Sequence, residues 1–256
     1  VRVIVTRPQP EAGRWVEQLR SRGVDAVALP LIDIAPVRDP AALQQAWSEI
    51  DAQAAVMFVS AAAVRHFFGA AAGSQRDRYP AMAWATGPGT AHALRVAGVP
   101  AERIAQPPAD SAQFDSEALW RVVQNDVRPR DRVLIVRGAG ADGEAAGRDW
   151  LASRLVEAQA VVTTVPAYRR ELPDWTPAQC VLAQEAAADA NAVWFFSSSE
   201  AIGNLVRLLP GQGWEASRAI ATHERIGQAA QQAGFGVVCL SRPAVDALCT
   251  ALESFG

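Results

Sequence analysis

The chain has no lysine: all 24 of its basic residues are arginine. That absence excludes a Schiff-base or pyridoxal-phosphate lysine and a P-loop lysine. It leaves planar, forked donors suited to carboxylates, a bias that a GC-rich coding sequence produces equally well. Histidine is also scarce, and His66, His92 and His223 show no metal-ligand spacing, so no metal is expected. Cys180, Cys239 and Cys249 are odd in number and form no CxxC. Free thiols in a reducing cytoplasm are the expectation. No apolar run approaches the roughly 20 residues of a membrane helix. No secretory signal is visible, and Val1 in place of methionine leaves the natural start open. The net charge of −3 supplies no general attraction to nucleic acid. Neither a membrane nor a nucleic-acid partner is expected.

What is present is a long apolar fraction, half of 256 residues, enough for two domains with cores of their own. The chain is organised around residues 131–170. Val133-Leu134-Ile135-Val136 is a short β-branched run and predicts a buried strand that Arg137-Gly138 breaks. A helical pattern carries Trp150, Leu151 and Leu155 on one side. A second strand, Ala160 to Val165, completes a βαβ unit that Pro166 ends. Tyr168-Arg169-Arg170 follow. The chain begins with the same unit: Val1 to Arg7 matches Asp131 to Arg137, with Arg137 lying 130 positions after Arg7. Ala12-Gly13-Arg14 likewise matches Ala146-Gly147-Arg148.

Between these units the order strand, small polar turn, helix recurs. Ser60 ends one apolar run and Thr86 another; Ser197 and Thr222 do the same 137 and 136 positions later. Gly98 and Gly234, which end the following helices, keep the spacing of 136. Three matched units in one order imply a duplicated α/β domain with parallel sheets covered on both faces. Pro40 precedes a helix over 41–49, and Ser116 to Val123 predicts another. The run 27–34 reads as a strand that Pro30 makes irregular or places at a sheet edge.

Several residues carry candidate chemistry. Gly138, Gly140 and Gly143 spell the glycine fingerprint of a dinucleotide site. The acidic residue expected about 20 positions on is missing, and the matched loop Arg7-Pro8-Gln9-Pro10 has no glycine. Ser60, Thr86, Ser197 and Thr222 read first as helix N-caps. Such turns also line the carboxyl ends of parallel strands, where helix N-termini offer N–H groups to anions. Nothing local makes a serine a nucleophile. Arg7 and Arg137 hold symmetric positions after their strands, and Arg65, Arg148 and Arg225 fall near helix starts. His223 reads as a cap or a proton donor. Tyr168 reads as an interfacial aromatic or as a weak acid able to donate its proton.

The order of these motifs resembles the uroporphyrinogen-III synthase family. VIVTRP, FVSAAAV, ATGPGTA, LIVRGAG with GRDWL, AYRR, FFSSSEA and ATHERIGQAAQQAGF carry the resemblance over nearly the whole chain. The departures are a longer segment from Gly138 to Gly147 and the small pair Ala61-Ala62, where relatives often carry a larger polar residue. The resemblance implies two related α/β domains, each a parallel sheet flanked by helices, interleaved and joined by a two-stranded linker. Residues 1–34 with 172–256 would form one domain and 35–171 the other, with linkers near 33–38 and 166–172. Sequence repeats alone suggest two tandem halves instead.

The resemblance also implies a cytoplasmic, monomeric enzyme without a cofactor. Its substrate would be hydroxymethylbilane, a linear tetrapyrrole with eight carboxylates, cyclised with inversion of ring D. Family analogy makes Tyr168 the proton donor to the leaving hydroxyl. The expected substrate contacts are Arg7, Ser60, Ala61, Thr86, Gly87, Arg137, Gly138, Ser197, Ser198, Thr222 and His223. Two other readings stand beside it. One is an NADP-dependent oxidoreductase using Gly138, Gly140 and Gly143, with Arg169 and Arg170 for the extra phosphate. The other is a non-catalytic two-domain protein that binds an anion.

Overall fold

The computed structural model describes residues 1–71, 79–111, 113–140 and 150–255. The chain opens with β1 (Arg2–Val5), α1 (Glu11–Arg20), β2 (Asp25–Ala28) and β3 (Asp33–Pro36). It continues through α2 (Ala41–Ser48), β4 (Ala55–Phe58), α3 (Ala61–Gly69), β5 (Met82–Ala85), α4 (Pro88–Val96) and β6 (Ile104–Ala105). Then come α5 (Ser116–Val123), β7 (Arg132–Ala139), α6 (Trp150–Glu157) and β8 (Val161–Glu171). The last third holds α7 (Pro177–Ala188), β9 (Ala192–Phe196), α8 (Ser199–Leu208), β10 (Arg218–Ala221), α9 (Glu224–Gln232), β11 (Val237–Leu240) and α10 (Val245–Glu253).

Two compact units result: Val1–Asp33 with Glu171–Gly256, and Ile34–Arg170. The first contains a sheet in the order β11-β10-β9-β1-β2, every neighbour parallel. In the second the order is β3-β8-β7-β4-β5-β6, parallel from β8 to β6.

Alternation along the strands explains both cores. In the second unit Val56, Phe58, Leu134 and Val136 face one side and pack with Leu43, Trp47, Phe67 and Leu94 from α2, α3 and α4. Their neighbours Ala55, Met57, Val133 and Ile135 face the other, against Leu119, Val123, Leu151 and Leu155 from α5 and α6. Both faces are thus covered, as parallel sheets require. Trp47 fixes α2 against α3: its ring stacks on Phe67 at 4.7 Å and its Nε1–H donates to Phe67 O at 2.8 Å. In the first unit Val3, Val5, Val193 and Phe195 meet Val16, Leu19, Val245 and Leu248. On its opposite face Trp194 and Phe196 join Trp214 and Phe235 in a chain of ring contacts.

The repeat is visible in backbone detail. Gly98 and Gly234 take φ +95° and +98°, a left-handed turn that glycine enters without a Cβ penalty. Each closes its helix with the same pair of bonds: Gly98 N–H to Arg95 O and Val99 N–H to Leu94 O, and Gly234 N–H to Gln231 O and Phe235 N–H to Ala230 O. Val99 and Phe235, the residues after the glycines, are both buried.

Three sequence expectations are corrected. The run 27–34 is not one strand: β2 stops at Ala28 and β3 starts at Asp33, with Pro30 between them and β2 at the sheet edge. Arg137-Gly138 does not break β7, which continues to Ala139. Pro166 does not end β8, which runs to Glu171, so Tyr168 lies inside the strand. One irregularity explains the last two. Arg137 faces Pro166 but Gly138 faces Tyr168, so Ala167 is an extra residue, a bulge. A proline is tolerated in a strand at such a place.

Candidate functional site

In the Ile34–Arg170 unit, β8, β7 and β4 are adjacent and parallel. Residues at their carboxyl ends therefore gather along one sheet edge, where ligands of such folds bind. Tyr168 comes from β8 and is 5% exposed. Its ring lies on Gly138 of β7: a Cβ there would stand 2.7 Å from Tyr168 Cε2 and 2.8 Å from Cζ. Glycine at 138 is thus a flat seat for the phenol, not a chain breaker. Ser60, after β4, places Oγ 3.0 Å from Tyr168 Oη. The same oxygen caps α3 by accepting from Ala63 N–H at 3.1 Å.

His66, on α3, sets its ring 5.8 Å from that of Tyr168, tilted by 33°. Burial, and secondarily the charge of Arg65, pushes the His66 imidazole below its usual pKa. His66 was not among the sequence candidates. Its signal would have been its place on the apolar face of α3, four residues after Ala62 and beside Phe67.

The other turn of this unit departs from expectation. Thr86 is not a cap: the N-cap of α4 is Gly87, followed by Pro88 at the first helical position. The Thr86 hydroxyl instead donates to Val59 O at 3.2 Å, tying the ends of β5 and β4 together. Ala61 opens α3 and is nearly buried, and Arg137, in β7, is 6% exposed.

In the first unit β10, β9 and β1 are adjacent, so their following residues also share an edge. Thr6 was missed by the sequence reading. It is 1% exposed, and its hydroxyl donates to Phe195 O at 2.7 Å, fixing the turn that presents Arg7. The half-buried Arg7 guanidinium lies 5.3 Å over the Trp15 ring. Burial pushes its pKa down; Glu11 opposes this and Arg14 adds to it. Arg7 Nε is buried without a hydrogen-bond partner among the described residues.

Ser197 and Thr222 are likewise not caps. Ser198 caps α8, accepting from Glu200 N–H at 3.2 Å, and His223 Nδ1 caps α9, accepting from Arg225 N–H at 3.1 Å. In both cases the strand ends where the pattern placed it, at Phe196 and Ala221, and the turn to the helix is two residues long, with the cap as its second residue. With Nδ1 accepting, the His223 ring proton sits on Nε2.

The structure thus brings Ser60, Gly138 and Tyr168 together in one unit. It places Arg7, Ser197, Ser198, Thr222 and His223 along one edge of the other. Gly143, Gly147 and Arg148 lie outside the described residues. The dinucleotide reading loses its first glycine, because Gly138 is paired inside β7 beneath a tyrosine rather than open at a strand-to-helix turn. Among the described residues no group of histidine, cysteine and acidic side chains could hold a metal ion, and no helix is long and apolar enough to cross a membrane.

Comparison with known proteins gives concordant matches. A family model described as uroporphyrinogen-III synthase HemD matches residues 13–250. The solved uroporphyrinogen-III synthetase of Helicobacter pylori superposes with a TM-score of 0.61 at 14% identity, covering 100% of both chains. A mutant uroporphyrinogen III synthase of Thermus thermophilus gives 0.57 at 17% identity, covering 100% of this chain and 98% of that one. At such identities these structures speak for the fold, and the family model speaks for the family.

Proposed function

This chain belongs to the uroporphyrinogen-III synthase family, and from that premise we propose how it works. It is a cofactor-independent lyase that cyclises hydroxymethylbilane to uroporphyrinogen III, with Tyr168 as the proton donor. The observation that carries this reading is the placement of the Tyr168 phenol: seated on Gly138 and bonded to Ser60 at the carboxyl ends of three adjacent strands.

The chemistry needs little more. The terminal hydroxyl of the bilane leaves as water if a proton reaches it, and the adjacent pyrrole nitrogen pushes it out to give an azafulvene. The substituted carbon of ring D attacks, a spiro intermediate forms and fragments, and reclosure leaves ring D inverted. The closing pyrrole then loses a proton as it regains aromaticity. That proton restores the phenol, so the balance is one water released per ring closed. A positioned acid is typically worth about 10²–10⁴-fold. Holding the two ends of the bilane together supplies the remaining selectivity.

The eight carboxylates of the substrate account for the rest of the site. Arg7 is a partly desolvated cation, and an arriving carboxylate gives its guanidinium a charged partner. The N-termini of α3, α4, α8 and α9 add N–H groups and positive dipole ends. In the same reading Arg137, Ala61 and Gly87 of one unit, and Ser197, Ser198, Thr222 and His223 of the other, are substrate contacts. The protein acts as a cytoplasmic monomer without a nucleic-acid partner, consistent with three free thiols and a net charge of −3.

The test is a product assay. Freshly made hydroxymethylbilane is incubated with the protein, oxidised, and the porphyrin isomers are separated. The type III isomer is expected. The spontaneous, non-inverted isomer in the proportion seen without protein would refute the reading and favour a non-catalytic anion binder.

A further inference from the structure

Ser60 has two engagements that together go beyond capping. Its oxygen accepts from Ala63 N–H at 3.1 Å and lies 3.0 Å from Tyr168 Oη. A serine hydroxyl has one hydrogen and two lone pairs, and a phenol has one hydrogen. The phenolic hydrogen can go to Ser60 or to a leaving group, but not to both. We propose that Ser60 is the positioning residue for the acid: it donates its hydroxyl hydrogen to Tyr168 Oη and so leaves the phenolic proton free for the substrate. The proposal rests on Tyr168 being the proton donor.

The arrangement has a direction. The N–H of Ala63, at the positive end of the nine-residue helix α3, polarises the Ser60 hydroxyl. A polarised hydroxyl is a stronger donor, and hydrogen bonds in series reinforce one another. As the phenol gives up its proton, negative charge grows on Oη, where the Ser60 hydrogen already points. The bond therefore strengthens in the transition state, which is the condition for an interaction to raise kcat rather than lower KM. The ring lies against Gly138, closer than any side chain there would allow, so Oη reaches Ser60 only because position 138 has no Cβ.

Capping and donation are separable by substitution. Ser60→Asp keeps an oxygen that caps α3 but has no hydrogen to give. Ser60→Thr keeps both functions, and Ser60→Ala removes both. The kcat and KM of each are measured with hydroxymethylbilane, alone and combined with Tyr168→Phe, with circular dichroism confirming the fold. Ser60→Ala and Ser60→Asp are expected to lower kcat about tenfold or more, the usual worth of a hydrogen bond to a charged group, with KM little changed. Ser60→Thr recovers most of the turnover lost in Ser60→Ala. In the Tyr168→Phe background the Ser60 substitutions change kcat by less than about twofold, because nothing remains to act through. If Ser60→Asp matches the parent while Tyr168→Phe is slow, Ser60 is a cap alone and this proposal fails while the assignment of Tyr168 stands. If Tyr168→Phe itself matches the parent, the assignment fails and the proposal with it.

Discussion

After β4, Ser60 caps a helix and in the same place meets a phenol. After β9, in the other unit, Ser198 caps a helix by accepting from Glu200 N–H. The two turns stand on matched strands in matched sheets, yet their surroundings differ. In the Ile34–Arg170 unit the strand ends hold an ionisable side chain that is 5% exposed, seated and bonded. In the other unit they hold a half-buried arginine over a tryptophan, and the caps Ser198 and His223. Duplication of a fold supplies two such edges with different side chains. A phenol held in place stands at one of them.

The comparison breaks most severely at Gly138. Gly138→Val puts a branched side chain where even a Cβ stands 2.7 Å from the phenol ring. Overpacking of this kind costs about 1–3 kcal/mol, and the displaced acid should lower turnover by about a hundredfold. Urea unfolding and initial rates read the two effects; parent values in both would show that the ring is not seated there.

A smaller effect is expected on the other edge. Arg7→Gln removes a charged donor without touching the acid, so KM should rise about tenfold with kcat nearly unchanged. A fall in kcat at constant KM would instead place Arg7 in the chemical step and erase the contrast between the units.

The smallest effect lies where the chain passes from one unit to the other. Burial, then Glu171 and Asp174, raises the Asp33 carboxyl above its usual pKa. Its ionised form is thus disfavoured in the fold. The group favours the folded state below its ordinary titration range, and that contribution is lost as pH rises from there through the raised value it has in the fold. Asp33→Asn should therefore raise Tm slightly at pH 7, and the gap should close near pH 3. A lower Tm at pH 7 would mean that the carboxylate is stabilised by a partner.

Much of this was legible in the residues. The helix Ser116–Val123 and the paired glycines 98 and 234 follow from local pattern, because capping and left-handed turns are local demands. The doubling of the α/β unit was equally plain. A repeat, however, says which elements match and not which sheet each joins. β1 pairs with β9 over the register Arg2 to Ala192, so the first and last parts of the chain share one sheet. Gly138 read as a breaker because sequence shows a missing side chain but not the ring that occupies its place. Pro166 read as a stop because the bulge at Ala167 exists in register with a partner strand. The caps fall one residue after Thr86, Ser197 and Thr222, because each of these strand-to-helix turns is two residues long. The Ser60–Tyr168 bond spans 108 positions, and neither residue's neighbours in sequence announce it.

If the proton for the leaving hydroxyl comes from Tyr168, single-turnover kinetics of Tyr168→Phe will show it. With enzyme in excess over hydroxymethylbilane, binding and product release drop out and the chemical step is read alone. The substitution keeps the ring on Gly138 and removes the donor. A step slower by about a hundredfold is predicted, with the product still the inverted isomer because geometry is retained. A parent-like rate would mean that the proton comes from water or from another group such as His223.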